Sequence, residues 1–167
     1  MKKVVMTLLI FMVNYSLVVN ASELSKAEKQ KIIETTSSIV DQIFEAANNK
    51  QFLRGLDYYS DDENAFFVSD GQINSLDDLK KSYAAVGSSV EDLHNDIIEW
   101  NAKVLSAELV SFTLPVKLRL KITGIPEYTG QIIWSALLQN VDGQWLVVQS
   151  HESWLDCAKV AKALTPQ

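Results

Sequence analysis

The sequence has two histidines, and one of them stands near the end of its most strand-like segment. The run Asp142–Ser153 begins with an Asp-Gly turn and then alternates in character up to His151. A histidine near its reference pKa of about 6.5 can accept or donate a proton at neutral pH. His151 is therefore the first candidate for an acid or base, with His94 and Asp70 as candidates to assist it. A neutral, hydrogen-bonded histidine that shapes the end of a sheet is the alternative interpretation.

Other catalytic and cofactor-binding motifs are missing from the sequence. It contains no Cys/His cluster and no HExxH, so it predicts no metal site. It contains no GxGxxG, Walker A or GxSxG motif, and no cofactor is predicted. Cys157 is the only cysteine, which excludes an intrachain disulfide.

Aromatic residues are dense in the part of the chain that reads as strands. Core packing is the default role of each one taken singly. Several together also favour a cavity that accepts a flat apolar molecule. The sequence predicts a ligand pocket formed by a set of four aromatic residues and the histidine already singled out: Phe67, Trp100, Trp134, Trp145 and His151.

Helical signals occupy the first part of the chain after the leader. Ser25 and Glu28 form a capping box, and apolar residues follow at helical spacing from Ile32 to Ala47. A second helix is predicted to begin at Ser75 and to end at Gly87. Between the two helices, Ala65–Ser69 predicts a short strand that ends in an Asp-Gly turn.

The remainder of the chain is predicted to form long antiparallel strands. The segment Ile97–Leu105 is the first, and Val110–Thr123 shows the clearest alternation of apolar and polar residues in the sequence. Tyr128–Gln139 and Gln144–Ser153 are the next two strands, joined by an Asp-Gly hairpin turn. A further helix is predicted to begin at Ser153.

These elements predict a single α+β domain over residues 22–167. The helices must cover the apolar face of one antiparallel sheet, because each strand buries one face and leaves the other polar. The predicted architecture is a cone-shaped half-barrel, in which a strongly curved sheet wraps around the N-terminal helices. An extra C-terminal helix completes it.

In this order the segments resemble the nuclear transport factor 2-like superfamily, and within it the SnoaL-like branch that includes ketosteroid isomerases and polyketide cyclases. Three segments carry the resemblance. Tyr59–Asp62, followed by Phe66–Val68 and an Asp-Gly pair, is similar to the entry into the first strand of that family. Leu79 and its neighbours match the third helix, and Trp145–Ser153 resembles the final strand.

The resemblance implies a cone-shaped barrel with an apolar pocket, and often a homodimer built on the outer face of the sheet. It implies that the face of the final strand that carries Trp145 and His151 looks into the cone. Members of the family include isomerases, cyclases, dehydratases and non-catalytic binders, so the fold does not fix an activity. No residues here match the tyrosine and aspartate set of the isomerases.

The first 21 residues predict a bacterial-type secretory signal peptide. Lys2 and Lys3 precede the apolar run Val4–Val13, and Val19–Ala21 matches the small-residue pattern before a cleavage point. An uncleaved membrane anchor is the alternative. Cleavage would leave a periplasmic or secreted protein with no stable membrane anchoring.

The charge of the chain excludes some partners. There are 15 basic and 21 acidic residues, and the leader removes two lysines and no acid, which leaves a net charge of −8. So acidic a chain is a poor partner for nucleic acids and for anionic membranes. The basic residues Lys117, Arg119 and Lys121 alternate, which is typical of a solvated or dimer-facing strand face.

Three classes of function remain open from the sequence. The leading hypothesis is an exported protein that binds a small apolar or amphipathic molecule in its cone. The second is a cofactor-free isomerase, cyclase or dehydratase with His151 as acid or base. The third is a protein-interaction module that acts through the outer face of the sheet.

Overall fold

The computed structural model describes residues 23–69 and 71–155. The predicted signal peptide, Asp70, Cys157 and the body of the predicted C-terminal helix lie outside the described residues. The helices are α1 (Lys26–Asn48), α2 (Phe52–Gly55) and α3 (Leu76–Val86), with 3₁₀ turns at Leu56–Tyr58 and Gly87–Ser89. The strands are β1 (Phe66–Ser69), β2 (Gln72–Asn74), β3 (Val90–Ile97), β4 (Ala102–Ser106), β5 (Leu109–Ile122), β6 (Tyr128–Val141) and β7 (Gln144–Trp154).

Helix α1 begins at the predicted capping box. The Ser25 amide donates to Glu28 Oε2 at 2.8 Å, and the Glu28 amide donates to Ser25 Oγ at 3.3 Å. These bonds satisfy amide groups that have no partner within the helix. The apolar stripe of α1 then packs on the sheet, where Thr36, Val40 and Ile43 are buried. Among the described residues, no helix is long and apolar enough to cross a bilayer.

The sheet is curved and open, with the strand order β2-β1-β7-β6-β5-β3. All neighbouring strands are antiparallel except β1 and β7, which are parallel. Strands β3 and β4 both pair with β5, one after the other along the same edge. The apolar side of the sheet faces the helices, and the predicted α+β cone is the observed architecture.

Strand β5 confirms the alternation that the sequence predicted. Val110, Phe112, Leu114, Val116 and Leu118 are all buried, whereas the residues between them are exposed or half-buried. The period of two in the sequence gives this pattern because successive side chains of a strand point to opposite faces. The inward-facing side chains of β5 therefore form a central part of the hydrophobic core.

The predicted strand Ile97–Leu105 is wrong as a single element. Strand β3 begins earlier, at Val90, and β4 begins only at Ala102. The amide of Ile98 donates to Pro115 O at 2.8 Å, and the amide of Thr113 donates to Asn101 O at 2.9 Å. Backbone hydrogen bonds thus connect both ends of the linker between β3 and β4 to β5.

Strand β7 contains one residue more than its partner requires. Leu138 lies opposite Val147, but Leu137 lies opposite Gln149, so Val148 is a β-bulge. A one-residue insertion moves every later side chain of the strand to the other face. The strand also continues to Trp154, which corrects the predicted start of a helix at Ser153.

Candidate functional site

A cavity of about 350 Å³ lies between the helices and the curved sheet. This volume is in the range of small-molecule sites in proteins, about 300–1,000 Å³. All three helices and strands β1, β3, β5, β6 and β7 contribute to its wall. Aliphatic residues form the largest group in the wall and include Ile43, Leu56, Leu93, Leu118, Leu120 and Ile132.

Aromatic side chains form a second part of the cavity wall. Phe44 of α1 meets Trp134 of β6 edge to face, with ring centroids 5.5 Å apart. Phe52 of α2 meets Tyr83 of α3 at 5.9 Å. Trp154, at the end of β7, also lines the cavity. These rings come from both the helices and the sheet, so the aromatic part of the wall includes residues of both layers.

The polar groups of the cavity centre on Tyr59 and Glu152. Burial raises the pKa of Tyr59 above its ordinary value, and the negative charge of Glu152 raises it further. Hydrogen bonds from Ser150 and Trp134 act in the opposite direction and do not offset the burial. The phenol of Tyr59 is therefore neutral at physiological pH. It can donate a hydrogen bond, and the Glu152 carboxylate can accept a proton or hold a positive group.

Tyr59 is held at this point by backbone and ring contacts. It follows the 3₁₀ turn Leu56–Tyr58 and forms an isolated parallel bridge with Val147. The next amide, of Ser60, donates to Val147 O at 2.9 Å. The ring of Phe67 contacts the ring of Tyr59 edge to face at 5.0 Å. The bridge lies directly beside the bulged residue of β7, so the same short region places both Tyr59 and Glu152.

A second polar contact joins α1 to β3 at the cavity wall. The amide and the side-chain nitrogen of Asn95 donate to Asn48 Oδ1, at 2.7 and 3.0 Å. Asn48 Nδ2 donates back to Asn95 O at 3.0 Å. Asn95 itself lines the cavity. These three hydrogen bonds fix the end of the helix against the strand and so set the local width of the cavity.

Trp134 is the predicted pocket residue that the structure places in the cavity wall. Phe67 is only 1% exposed and lies behind Tyr59, so it supports the wall rather than forming it. Trp145 is buried in the core near the β6–β7 hairpin, opposite Asn140. Neither Phe67 nor Trp145 lines the cavity, and for these two the predicted position is wrong.

Trp100 is also wrongly placed by the sequence prediction. It lies in the linker between β3 and β4, is 41% exposed, and packs on Phe112 at 6.2 Å. The prediction placed Trp100 within a strand over Ile97–Leu105. Because β3 ends at Ile97 and β4 begins at Ala102, Trp100 lies in neither strand.

His151 lies on the outer face of the sheet, and the prediction that it looks into the cone is wrong. It is exposed, and its Nε2 atom lies 3.5 Å from Ser153 Oγ. A shallow depression that it shares with Ser135 and Gln149 is separate from the cavity. The physical reason is the bulge at Val148, which reverses the facing of every residue after it.

His94 also lies on the outer face, where its Nε2 atom is 3.0 Å from Asp96 Oδ1. It stands opposite Arg119 on β5, whereas His151 stands opposite Ser135, which pairs with Thr113. The six residue-to-residue steps from Thr113 to Arg119 span roughly 20 Å of strand. His94 therefore lies too far from His151 to assist it as an acid or base, and this prediction is wrong. The third predicted catalytic residue, Asp70, lies outside the described residues.

The basic stripe of β5 faces solvent beside acidic partners on β3. Lys117 lies opposite Asp96 and Lys121 lies opposite Asp92. Arg119 Nη2 is 2.8 Å from Asp92 Oδ2, with both side chains about half exposed. Such an exposed pair contributes at most about 1 kcal/mol. Two acidic side chains thus lie beside the three basic ones and reduce the local positive charge, which does not favour an anion site.

Among the cavity residues that the sequence prediction missed are Tyr59, Glu152 and Trp154. One signal in the sequence could have revealed the last two. Trp145 and Trp154 are nine positions apart, and an odd spacing places two residues on opposite faces of a regular strand. Because tryptophan side chains are mostly buried in folded proteins, this odd spacing indicates from the sequence alone that the alternation is interrupted between them. Within residues 23–69 and 71–155, no group of three or more His, Cys, Asp or Glu could hold a metal ion.

The SnoaL-like domain family matches residues 37–156. The chain belongs to this family. The match begins within α1 and runs past the end of β7, so it includes nearly every element that lines the cavity. No curated protein sequence matched the chain.

Solved structures share the nuclear transport factor 2-like fold with this SnoaL-like protein. A candidate dehydratase of that family from Streptomyces avermitilis has a TM-score of 0.65 and 14% identity, covering 75% of this chain and 97% of its own. A candidate scytalone dehydratase from Novosphingobium aromaticivorans has a TM-score of 0.70 and 10% sequence identity. The match covers 78% of this chain and 88% of the dehydratase chain. A hexachlorocyclohexane dehydrochlorinase from Novosphingobium barchaimii has a TM-score of 0.68 and 12% sequence identity. The match covers 78% of this chain and 91% of the dehydrochlorinase chain. At these identities the likeness establishes the fold alone.

Proposed function

We propose that this SnoaL-like protein binds a small apolar or amphipathic molecule in its conical cavity. The observation that carries the proposal is the cavity itself, about 350 Å³ in volume and lined mainly by aliphatic and aromatic side chains. Preformed apolar cavities with a few convergent polar groups are the usual form of ligand sites in proteins. A solid core would have supported the interaction-module alternative instead.

Two residues of α3 line the cavity and are exposed, and we place an opening of the cavity beside them. Val86, in the last turn of that helix, lines the cavity and is 48% exposed. Ser82, one turn earlier, also lines the cavity and is exposed, so it belongs to the rim. A large side chain at Ser82 would narrow the opening without disturbing the buried core. Ala84 is exposed on the same helix and is outside the lining, which makes it a matched control position.

Binding of the neutral dye N-phenyl-1-naphthylamine, followed by its fluorescence, tests the proposal. We expect saturable binding to the wild type. We expect Ser82→Trp to weaken it by about tenfold or more, and Ala84→Trp to change it by less than about twofold. Urea unfolding of each variant verifies that the fold is retained. Absence of saturable binding to the folded wild type, or equal effects of the two substitutions, would contradict a ligand cavity.

The proposal includes export from the cytoplasm, on the basis of the first 21 residues. Cleavage after Ala21 would release a protein that begins at Ser22 and contains every element of the cavity. Mass spectrometry of the protein recovered from the periplasm and medium of a bacterial producer measures the mature N-terminus. Recovery only of the full-length chain, in the membrane fraction, would instead favour an uncleaved anchor.

A further inference from the structure

We propose that Gly87 and Phe52 set the upper size of the ligand that this cavity accepts. Phe52 forms part of the cavity wall, and the absence of a side chain at Gly87 lets its ring lie back against the end of α3. This inference rests on the proposed ligand-binding function and adds a limit on the size of the ligand to it.

The backbone at residue 87 does not require glycine. Gly87 directly follows α3 and has φ −56° and ψ −35°, which are ordinary right-handed helical values. Residues with a side chain adopt these angles without strain, and alanine is more favourable than glycine in helical backbone. Conformational freedom therefore gives no reason for a glycine here, in contrast to the turn residue Gly143, whose φ is 88°.

The space around residue 87 does explain the glycine. A Cβ atom built on Gly87 would lie 3.3 Å from Cδ2 of Phe52 and 3.6 Å from Cε2 of the same ring. The shorter of these contacts is tighter than the optimum for two carbon atoms, about 3.5–4.0 Å, so the ring would have to move. Gly87 thus leaves free the space that the Phe52 ring occupies.

The ring of Phe52 lies between the end of α3 and the cavity. It contacts the ring of Tyr83 with centroids 5.9 Å apart, and Tyr83 and Gly87 are four positions apart, which places them on one side of the helical backbone. Phe52 and Tyr83 line the cavity, whereas Gly87 is outside the lining. Gly87 therefore lies behind the Phe52 ring, and a larger side chain at residue 87 would displace that ring into the cavity.

The volume lost to such a displacement is large relative to the cavity. Gly87→Val adds three carbon atoms, and if each occupies about as much space as a water molecule in the liquid, together they require roughly 90 Å³. The cavity has a volume of about 350 Å³, so the displaced ring would remove up to about a quarter of it. Ligands that fill the cavity should be excluded first, and smaller ligands should still bind.

Two neutral probes that differ by one phenyl group test this size limit. They are N-phenyl-1-naphthylamine and 1-naphthylamine, and because both fluoresce, titration of the full protein measures each affinity directly. We expect Gly87→Val to weaken binding of the phenyl-bearing probe by about tenfold or more, and binding of the smaller probe by less than about threefold. Gly87→Ala requires a shift of only a few tenths of an ångström and should lower the ratio of the two affinities by about twofold.

A control position and a second background separate the size limit from other effects. Ser88→Val introduces the same side chain at the exposed neighbouring residue of the 3₁₀ turn and should leave both affinities unchanged. In a Phe52→Leu background the aromatic ring is absent, so Gly87→Val should no longer lower the ratio of the two affinities. Urea unfolding of every variant verifies that the fold is retained.

Each other outcome overturns either the inference or the function on which it rests. An affinity ratio that is unchanged in Gly87→Val and Gly87→Ala, with both probes bound by the wild type, would remove Gly87 from ligand selection and leave the ligand cavity intact. Equal losses for the two probes would mean that residue 87 does not limit ligand size. An effect that persists in the Phe52→Leu background would exclude the Phe52 ring as its cause. Absence of saturable binding of both probes to the folded wild type would contradict the ligand cavity itself.

Discussion

Gly130 is the position at which a single methyl group should have the largest effect on the wall of the cavity. On β6, the side chain of Tyr128 lies along the strand and covers Gly130. A Cβ atom built on Gly130 would collide with the hydroxyl and Cζ of Tyr128 and would lie 2.9 Å from its Cε1 atom. Tyr128 in turn meets Trp154, a cavity residue, edge to face at 5.4 Å. We therefore expect Gly130→Ala to displace Tyr128 and to disturb Trp154.

The magnitude follows from what Tyr128 would lose. It is only 4% exposed, and burial of a large side chain contributes about 2 kcal/mol. The edge-to-face contact with Trp154 adds about 1 kcal/mol. Alanine is otherwise better than glycine inside a strand by about 0.5–1 kcal/mol, which offsets part of the loss. The expected net cost of Gly130→Ala is about 2 kcal/mol of unfolding free energy.

Urea unfolding followed by tryptophan fluorescence measures this cost, and a second substitution tests its cause. In a Tyr128→Ala background the space over Gly130 is free, so Gly130→Ala should be neutral or stabilising by about 0.5 kcal/mol. A Tyr128→Phe background should not rescue, because the ring atoms remain in the way. An equal cost of Gly130→Ala in all three backgrounds would refute the proposed collision.

Two further predictions concern the polar groups of the cavity wall. Asn48→Ala removes three hydrogen bonds to Asn95 and should lower the unfolding free energy measured in urea by about 2 kcal/mol. Asn49→Ala loses one exposed hydrogen bond and should lower it by less than about 1 kcal/mol. Equal losses in the two variants would mean that the Asn48 contact contributes little. Burial raises the pKa of Tyr59, so the folded state holds the phenol proton more tightly than the unfolded state does. The contribution of this phenol to stability is therefore complete below pH about 10 and is lost as the pH rises beyond that value. Unfolding measured from pH 9 upward should therefore show a steeper loss of stability in the wild type than in Tyr59→Phe, and parallel profiles would contradict the burial of this phenol.

Much of the fold could be predicted because its determinants are local. The capping box at Ser25 requires only residues three positions apart, and it forms as expected. The alternation of Val110–Thr123 requires only a period of two, and β5 follows it. The hairpin turn at Asp142 and Gly143 has the two positive φ angles, 51° and 88°, that an Asp-Gly pair favours. In each case a short stretch of chain contains all the necessary information.

The break between β3 and β4 was not predictable in this way. Residues 97–105 contain enough apolar and β-branched residues to read as one strand. The interruption at 98–101 is a property of the sheet, because two strands must share one edge of the long, curved β5. The pairing partner is therefore the reason for the break, and that partner is more than ten residues away in the sequence. Trp100 was assigned to the pocket because this long-range constraint is invisible in its own segment.

The bulge in β7 had the largest consequence for the candidate site. With strict alternation, His151 would face the cavity and Glu152 would face solvent, which suggests acid–base chemistry near neutral pH. With Val148 unpaired, the two exchange places, and the cavity gains a carboxylate instead of an imidazole. The bulge occurs where the partner on the other side of β7 changes from Tyr59 to β1. One extra residue at that junction thus replaces a predicted imidazole by a carboxylate in the cavity wall, and this is why strict alternation along the strand placed the acid–base candidate on the wrong face of the sheet.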